Sequence, residues 1–119
     1  MADASGARSE AQPSEGAGWR DVPVALPAPG RMAAFELDGL ELVLCNAAGT
    51  PCVVEDRCPH AEAPLSEGRL EGFVLECPLH GGKLDARDGR AVAAPIRRAV
   101  RTFAVRQAGE QLQVEIPDA

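Results

Sequence analysis

Hydrophobic and polar residues alternate over several short stretches of this chain. At 40–45 three leucines occupy every second position, directly after the turn signal Asp38-Gly39. A two-residue period is that of a β-strand, in which successive side chains point to opposite faces. Residues 50–55 are predicted to return along this strand after a turn at 46–49. The pattern therefore predicts an antiparallel hairpin in the first half of the chain.

The end of the chain has the same two-residue period. At 111–116 three aliphatic residues alternate with Gln, Gln and Glu, which predicts a half-buried strand. We expect this strand to pair with residues 100–106 through a turn at Ala108-Gly109, and residues 73–76 to form a further strand. Ten prolines and twelve glycines interrupt any long helix. The sequence therefore predicts an all-β fold, a small sandwich or barrel.

Composition limits the class of protein further. Residues 1–17 are mostly Ala, Ser, Gly and Glu without apolar periodicity, so we expect a disordered tail followed by one domain at 18–117. The net charge of −6 argues against a nucleic-acid partner. No apolar run is long enough for a membrane span, and no hydrophobic signal core is present. A soluble, cytoplasmic protein is expected, in which cysteines are ligands or free thiols rather than disulfides.

The candidate chemistry is concentrated in one stretch, from Cys58 to His80. CPH at 58–60 and CPLH at 77–80 each contain a mixed Cys–His pair, and together they hold both histidines of the chain. Thiolates and imidazoles bind either zinc or iron–sulfur clusters. Structural zinc sites usually combine like pairs, whereas a mixed pair on each of two loops suits a dinuclear site. A Rieske cluster, in which two histidines replace two cysteines on one iron, has this donor set.

The residues around the two pairs agree with a site built from loops. Pro59 and Pro78 stiffen the loops. Gly81 and Gly82 have no side chains, and their backbone N–H groups are expected close to the positions of the sulfides. Ala93-Ala94-Pro95 is predicted to form a third loop over the site.

The pattern C-x-H-x16-C-x2-H in a domain of this size resembles that of a Rieske ferredoxin. The flanking stretches WRDVP, EDRCPHAEAPLSEG and ECPLHGGKLDARDG are similar too, so the resemblance covers roughly residues 18–117. It implies one [2Fe–2S] cluster, with Cys58 and Cys77 on one iron and His60 and His80 on the other. It also implies the Rieske fold, an all-β antiparallel framework that carries a small cluster-binding subdomain.

Within this family the chain most resembles the ferredoxin components of bacterial aromatic-ring-hydroxylating dioxygenase systems. There a flavin-containing reductase takes electrons from NAD(P)H, and the ferredoxin carries them one at a time to a terminal oxygenase. The resemblance therefore implies a monomeric carrier that docks transiently and has no substrate chemistry of its own. Two alternatives remain. One is a Rieske carrier for a diiron monooxygenase or a nitrite-reductase-like system, and the other is a zinc-stabilised interaction module.

Two further features have simpler interpretations. Cys45 and Cys52 flank a short turn and are predicted to face each other as small buried hydrophobic residues, with a reversible disulfide as the alternative. The basic run Arg97-Arg98-Ala-Val-Arg101 is predicted to be a solvated strand face rather than a docking patch.

The loops also depart from those of high-potential Rieske proteins of the respiratory type. In that group two extra cysteines join the loops by a disulfide, and serine and tyrosine hydroxyls donate hydrogen bonds to cluster sulfurs. The corresponding positions here are Ala63 and Leu79 for the cysteines, Gly82 for the serine and Leu84 for the tyrosine. With fewer donors to stabilise an added electron, a reduction potential near the low end of the Rieske range is expected.

Overall fold

The structure is a computed structural model and describes residues 18–59 and 63–117. The predicted tail at 1–17 and the predicted ligand His60 lie outside these residues. The strands, in chain order, are β1 (Gly18–Asp21), β2 (Met32–Leu37), β3 (Leu40–Ala47), β4 (Thr50–Glu55), β5 (Arg69–Glu71), β6 (Val74–Glu76), β7 (Lys83–Asp85), β8 (Ala91–Ala93), β9 (Thr102–Phe103), β10 (Val105–Ala108) and β11 (Gln111–Ile116). The helical structure within the described ranges is a single 3₁₀ turn at Leu65–Glu67, and none of it is long and apolar enough to cross a membrane.

The strands form three antiparallel sheets, with the orders β1-β11-β10, β2-β3-β4-β9 and β5-β6-β7-β8. This arrangement confirms the all-β prediction. The predicted hairpin at 40–55 is also confirmed, although β3 continues to Ala47 and β4 begins at Thr50. The turn is therefore only Ala48-Gly49, both with positive φ, as a tight two-residue hairpin requires.

The central sheet separates two hydrophobic cores. Leu42 and Leu44 of β3 pack into one core with Phe103 and Val114. Val43, on the opposite face of β3, belongs to the other core, whose members include Leu65, Leu75 and Leu84. Because both faces of β3 are covered, its side chains are buried from Leu42 to Ala47. The second core joins the central sheet to the β5–β8 sheet.

The predicted strand at 100–106 is wrong in its extent. Thr102 and Phe103 pair with β4 of the central sheet, whereas residues 105–108 pair with β11 of another sheet. Ala104 lies at the crossing, where its carbonyl accepts a hydrogen bond from the Glu115 N–H. Residues 102–108 thus pair with two different sheets and do not form a single strand. The pairing with β11 itself is confirmed, with a turn at Gly109-Glu110.

Three loops lie beside the β5–β8 sheet. The first loop follows β4, and its described residues are 56–59 and 63–64. The second connects β6 to β7, at 77–82, and the third connects β8 to β9, at 94–101. The basic run at 97–101 belongs to the third loop and not to a strand, which corrects the predicted strand face. Arg97, Arg98 and Arg101 are nevertheless exposed, as predicted.

Candidate metal centre

The first loop is closed by its own backbone and fixed at its base. The Cys58 N–H donates a hydrogen bond of 2.9 Å to the Ala63 carbonyl. Two residues before the cysteine, the Asp56 carboxylate accepts hydrogen bonds from the Ser66 N–H and hydroxyl, each 2.7 Å long. The Cys58 side chain is buried, with 2% of its residue surface exposed. The loop therefore holds its thiol on the inner side.

The second loop is closed in the same way. The Cys77 N–H donates a hydrogen bond of 2.8 Å to the Gly82 carbonyl. Within the loop, the Leu79 N–H donates to Cys77 Sγ over 3.4 Å. His80 and Gly81 both have positive φ, 66° and 72°, a conformation that favours glycine and strains other residues. This sharp bend leaves Cys77 buried and His80 exposed.

The two loops therefore share one construction. In each, a cysteine N–H is bonded to the carbonyl five residues later, at Ala63 and at Gly82. Both cysteines belong to the same hydrophobic core, together with Ala63 and Ile96. The structure thus brings the two predicted thiolate ligands into one region, and His80 lies on the same loop as Cys77. Within 18–59 and 63–117 no group of three or more His, Cys, Asp or Glu residues forms a metal site on its own, and His60 lies outside those ranges.

The third loop contacts both of the others. Ile96 packs against Gly82 of the second loop, where an added Cβ would lie 2.7 Å from Ile96 Cγ1. Arg98 reaches the first loop, and its Nη2 donates a hydrogen bond of 2.9 Å to the Pro59 carbonyl. The third loop predicted from the sequence, at 93–95, did not include Ile96 or Arg98. An aliphatic residue between a proline and two arginines was a weak signal for Ile96, and no local signal existed for Arg98.

The surroundings of the thiols fit soft-metal ligands. The Leu79 N–H already points at Cys77 Sγ, and a hydrogen bond to a thiolate sulfur is stronger than one to a neutral thiol. Apolar burial of Cys58 and Cys77 excludes water from the side of the site that they form. Two buried sulfur donors, one on each loop, and an exposed imidazole on the second loop fit the asymmetric donor set of a Rieske cluster.

The remaining two cysteines lie elsewhere in the fold. Cys45 and Cys52 are directly opposite each other in the β3–β4 hairpin, as predicted, and no disulfide joins them. Burial raises the pKa of both thiols, that of Cys52 to about 11. Both side chains pack in the second core. The observed state agrees with the prediction of small buried hydrophobic residues.

Comparison with known proteins shows the family of the chain. Residues 21–104 match the family model described as the Rieske [2Fe-2S] domain. The ferredoxin component of biphenyl 2,3-dioxygenase from Rhodococcus jostii (strain RHA1) is 40% identical over 75% of this chain and 83% of its own length.

Solved structures agree as well. The ferredoxin of carbazole 1,9a-dioxygenase from Nocardioides aromaticivorans IC177 has a TM-score of 0.75 and 33% identity, over 82% of this chain and 98% of that one. A chain in a complex of reduced oxygenase and oxidized ferredoxin in carbazole 1,9a-dioxygenase has a TM-score of 0.77 and 29% identity, over 85% of this chain and 95% of that one. The chain belongs to the Rieske [2Fe–2S] domain family.

Proposed function

We propose that this chain is a one-electron carrier of an aromatic-ring-hydroxylating dioxygenase system. In this proposal Cys58 and Cys77 bind one iron of a Rieske [2Fe–2S] cluster, and His60 and His80 bind the other. The bound cluster supplies reversible one-electron reduction. The observation that carries the proposal is the matched construction of the first and second loops, each closed by a hydrogen bond from a buried cysteine.

The chain's own residues account for the inner and outer sides of such a site. Cys58 and Cys77 are 2% exposed, so the thiolates lie on the core side. His80 is exposed at the bend of the second loop, and Leu79 beside it is 45% exposed. An exposed imidazole gives a partner a short path for electrons. An apolar residue next to it suits the small, transient contacts of redox partners.

The relatives support an oxygenase as one partner, and the reductase is what the resemblance to dioxygenase ferredoxins implies. One relative is named as the ferredoxin component of a dioxygenase, and one solved neighbour is described in a complex of oxygenase and ferredoxin. We therefore propose a terminal oxygenase as the electron acceptor and a flavin-containing NAD(P)H-dependent reductase as the donor. A cytoplasmic location is part of the proposal, because thiolate ligands and free buried thiols fit a reducing compartment.

The proposed role is that of a carrier without substrate chemistry. A mononuclear oxygenase iron is held by two histidines and one carboxylate. The sequence has only two histidines, and the proposed cluster uses both. A carrier for a diiron monooxygenase or a nitrite-reductase-like system remains the second candidate, but the dioxygenase relatives favour the first. The Rieske match likewise favours the cluster over a zinc-stabilised module.

Ferredoxin-dependent turnover tests this function. The purified protein, a dioxygenase reductase and its oxygenase should together convert an aromatic substrate in proportion to the amount of ferredoxin. Cys77→Ser should abolish turnover and cluster content together, because a hydroxyl is a harder and less acidic ligand than a thiol. Cys52→Ser changes a buried cysteine outside the site and should leave both intact. Turnover that is independent of the ferredoxin would contradict the proposal.

A second experiment tests the docking surface. Leu79→Glu should slow electron delivery under ferredoxin-limiting conditions without removing the cluster, because a desolvated charge disfavours an apolar contact. Leu26→Glu is the matched control, since Leu26 is an apolar residue of similar exposure, 40%, outside the three loops. Equal rates for the two variants would mean that the electron leaves by another face.

A further inference from the structure

The contact between Arg98 and Pro59 joins two loops that are distant in sequence. Arg98 Nη2 donates a 2.9 Å hydrogen bond to the Pro59 carbonyl, across 39 residues. Pro59 lies between Cys58 and His60, which are adjacent proposed ligands of different irons. The accepting carbonyl belongs to the peptide that precedes His60. A side chain of the third loop therefore fixes the backbone inside the CPH motif.

The Pro59 carbonyl is a specific point at which the first loop is supported from outside. Pro59 has no backbone N–H, so its carbonyl is the only hydrogen-bonding group that its main chain offers. In the second loop an internal hydrogen bond, from the Leu79 N–H to Cys77 Sγ, orders the residues between the two proposed ligands. In the first loop, Arg98 donates to the peptide between the two proposed ligands. An arginine suits the role because its planar guanidinium is always charged and directs its N–H donors rigidly.

We propose that Arg98 is a positioning residue for the cluster: it fixes the Pro59 peptide and thereby the geometry of the first-loop ligands. The proposal rests on the proposed function for the roles of Cys58 and His60. Arg98 does not bind the cluster and acts only through the backbone of the first loop. Loss of its hydrogen bond should therefore change the ligand geometry at the irons while the fold remains intact.

The chain supplies a matched control in the neighbouring residue. Arg97 is also exposed and lies in the same loop, but within the described part of the chain it makes no hydrogen bond or ion pair. Arg97→Gln and Arg98→Gln remove the same charge from adjacent positions. Only the second removes a bond to the first loop, so a difference between them reports on the bond rather than on net charge.

The experiment compares the reduced holoproteins of wild type, Arg98→Gln, Arg98→Lys and Arg97→Gln. We expect Arg98→Gln to shift the g-values of the Rieske EPR signal and to speed loss of the visible cluster absorbance roughly three- to tenfold, the range for one net hydrogen bond. Arg97→Gln should match wild type in both measurements. Arg98→Lys should fall in between, because an ammonium group can donate but lacks the planar fork.

The other possible results of this experiment either support or overturn the proposal. Failure of Arg98→Gln to hold any cluster, while Arg97→Gln holds it normally, would support the proposal. Identical behaviour of the two glutamine variants, including joint failure, would overturn it, since charge or general stability would then explain the effect. A wild-type protein without a Rieske signal would instead overturn the proposed ligands, so the two failures are distinguishable.

Discussion

Ile96 occupies the space that a side chain at Gly82 would need. A Cβ built on Gly82 would lie 2.7 Å from Ile96 Cγ1 and 3.1 Å from its Cδ1. The Gly82 carbonyl also accepts the hydrogen bond from the Cys77 N–H that closes the second loop. Close packing of the third loop on this glycine therefore holds the loop that carries Cys77 and His80.

The first prediction follows from this contact. Gly82→Ala should destabilise the holoprotein by about 1–3 kcal/mol, the usual cost of overpacking. Ile96 is 3% exposed. Ile96→Ala should lower the free energy of unfolding by about 2–5 kcal/mol, because a cavity forms. In the double variant the clash with the Ile96 side chain is gone and only the contact with Ile96 N, at 3.2 Å, remains, so the two single costs should sum to clearly more than the measured loss. Denaturant unfolding of the four proteins measures this coupling, and simple additivity would show that the contact is absent.

The second prediction is a low reduction potential. The respiratory-type serine position is Gly82 here, and the tyrosine position is Leu84, which is fully buried. Neither side chain can donate a hydrogen bond to a sulfide, and such bonds stabilise the more negative reduced cluster. We expect a potential near about −150 mV. Protein-film voltammetry near neutral pH measures it, and a clearly positive value would refute this reasoning.

A substitution at the same position refines the test. Gly82→Ser alone would meet Ile96, so the serine is best placed in an Ile96→Ala background. There the potential should rise if the hydroxyl reaches a sulfide. Gly82→Ala in the same background is the control and should leave the potential unchanged, since it adds the Cβ without a donor.

The third prediction concerns the thiols outside the site. Burial raises the pKa of Cys52 to about 11 and that of Cys45 still further, so both thiols are neutral near pH 8. Because the thiolate is the reactive form, iodoacetamide should label neither in the folded holoprotein. The Cys45→Ala/Cys52→Ala double variant should keep its full iron content. Peptide mass mapping measures the labelling, and iron analysis measures the cluster content. Rapid labelling or lost iron would indicate a redox or ligand role for this pair.

The fourth prediction concerns Asp85, at the end of β7. Its carboxylate is nearly buried and accepts hydrogen bonds of 3.0 and 2.8 Å from the Arg87 guanidinium. That side-chain hydrogen bond holds the pKa of Asp85 below its ordinary value. A lowered folded pKa adds stability that is present above the unfolded value, about 3.9, and is lost as the pH falls through the folded value.

Asp85→Asn should therefore destabilise the protein by about 1–3 kcal/mol at pH 7. The difference from wild type should stay constant down to about pH 5 and shrink only below about pH 4. Thermal unfolding of both proteins across this range provides the measurement. A difference that already shrinks near about pH 6 would mean that another group titrates. Arg87→Gln removes the guanidinium that donates to Asp85 and should reproduce most of the loss of stability.

Local patterns were sufficient to predict the β3–β4 hairpin and the β10–β11 pairing. Alternating side chains and two-residue turn signals act between neighbouring residues, so they can be read from a short window. Cys45 and Cys52 were correctly placed opposite each other for the same reason. The resemblance of the CPH and CPLH stretches gave the family and the cofactor without any knowledge of the packing.

Contacts between distant segments were not predictable in this way. The pattern at 100–106 predicts one strand, but one part of it pairs with β4 and another with β11. The chain passes from one sheet to the other at Ala104. Arg98 looked like surface charge because its partner, Pro59, is 39 residues away. These features depend on how the sheets pack, which no local pattern records.

The presence of a Rieske cluster is best tested by iron and acid-labile sulfide content, measured together with the EPR spectrum of the reduced protein. We expect the two irons and two sulfides of a [2Fe–2S] cluster per chain, no EPR signal in the oxidised protein and a Rieske-type signal after reduction. Stoichiometric zinc, or the EPR signal of an all-cysteine cluster, in protein purified without oxidative damage would contradict it.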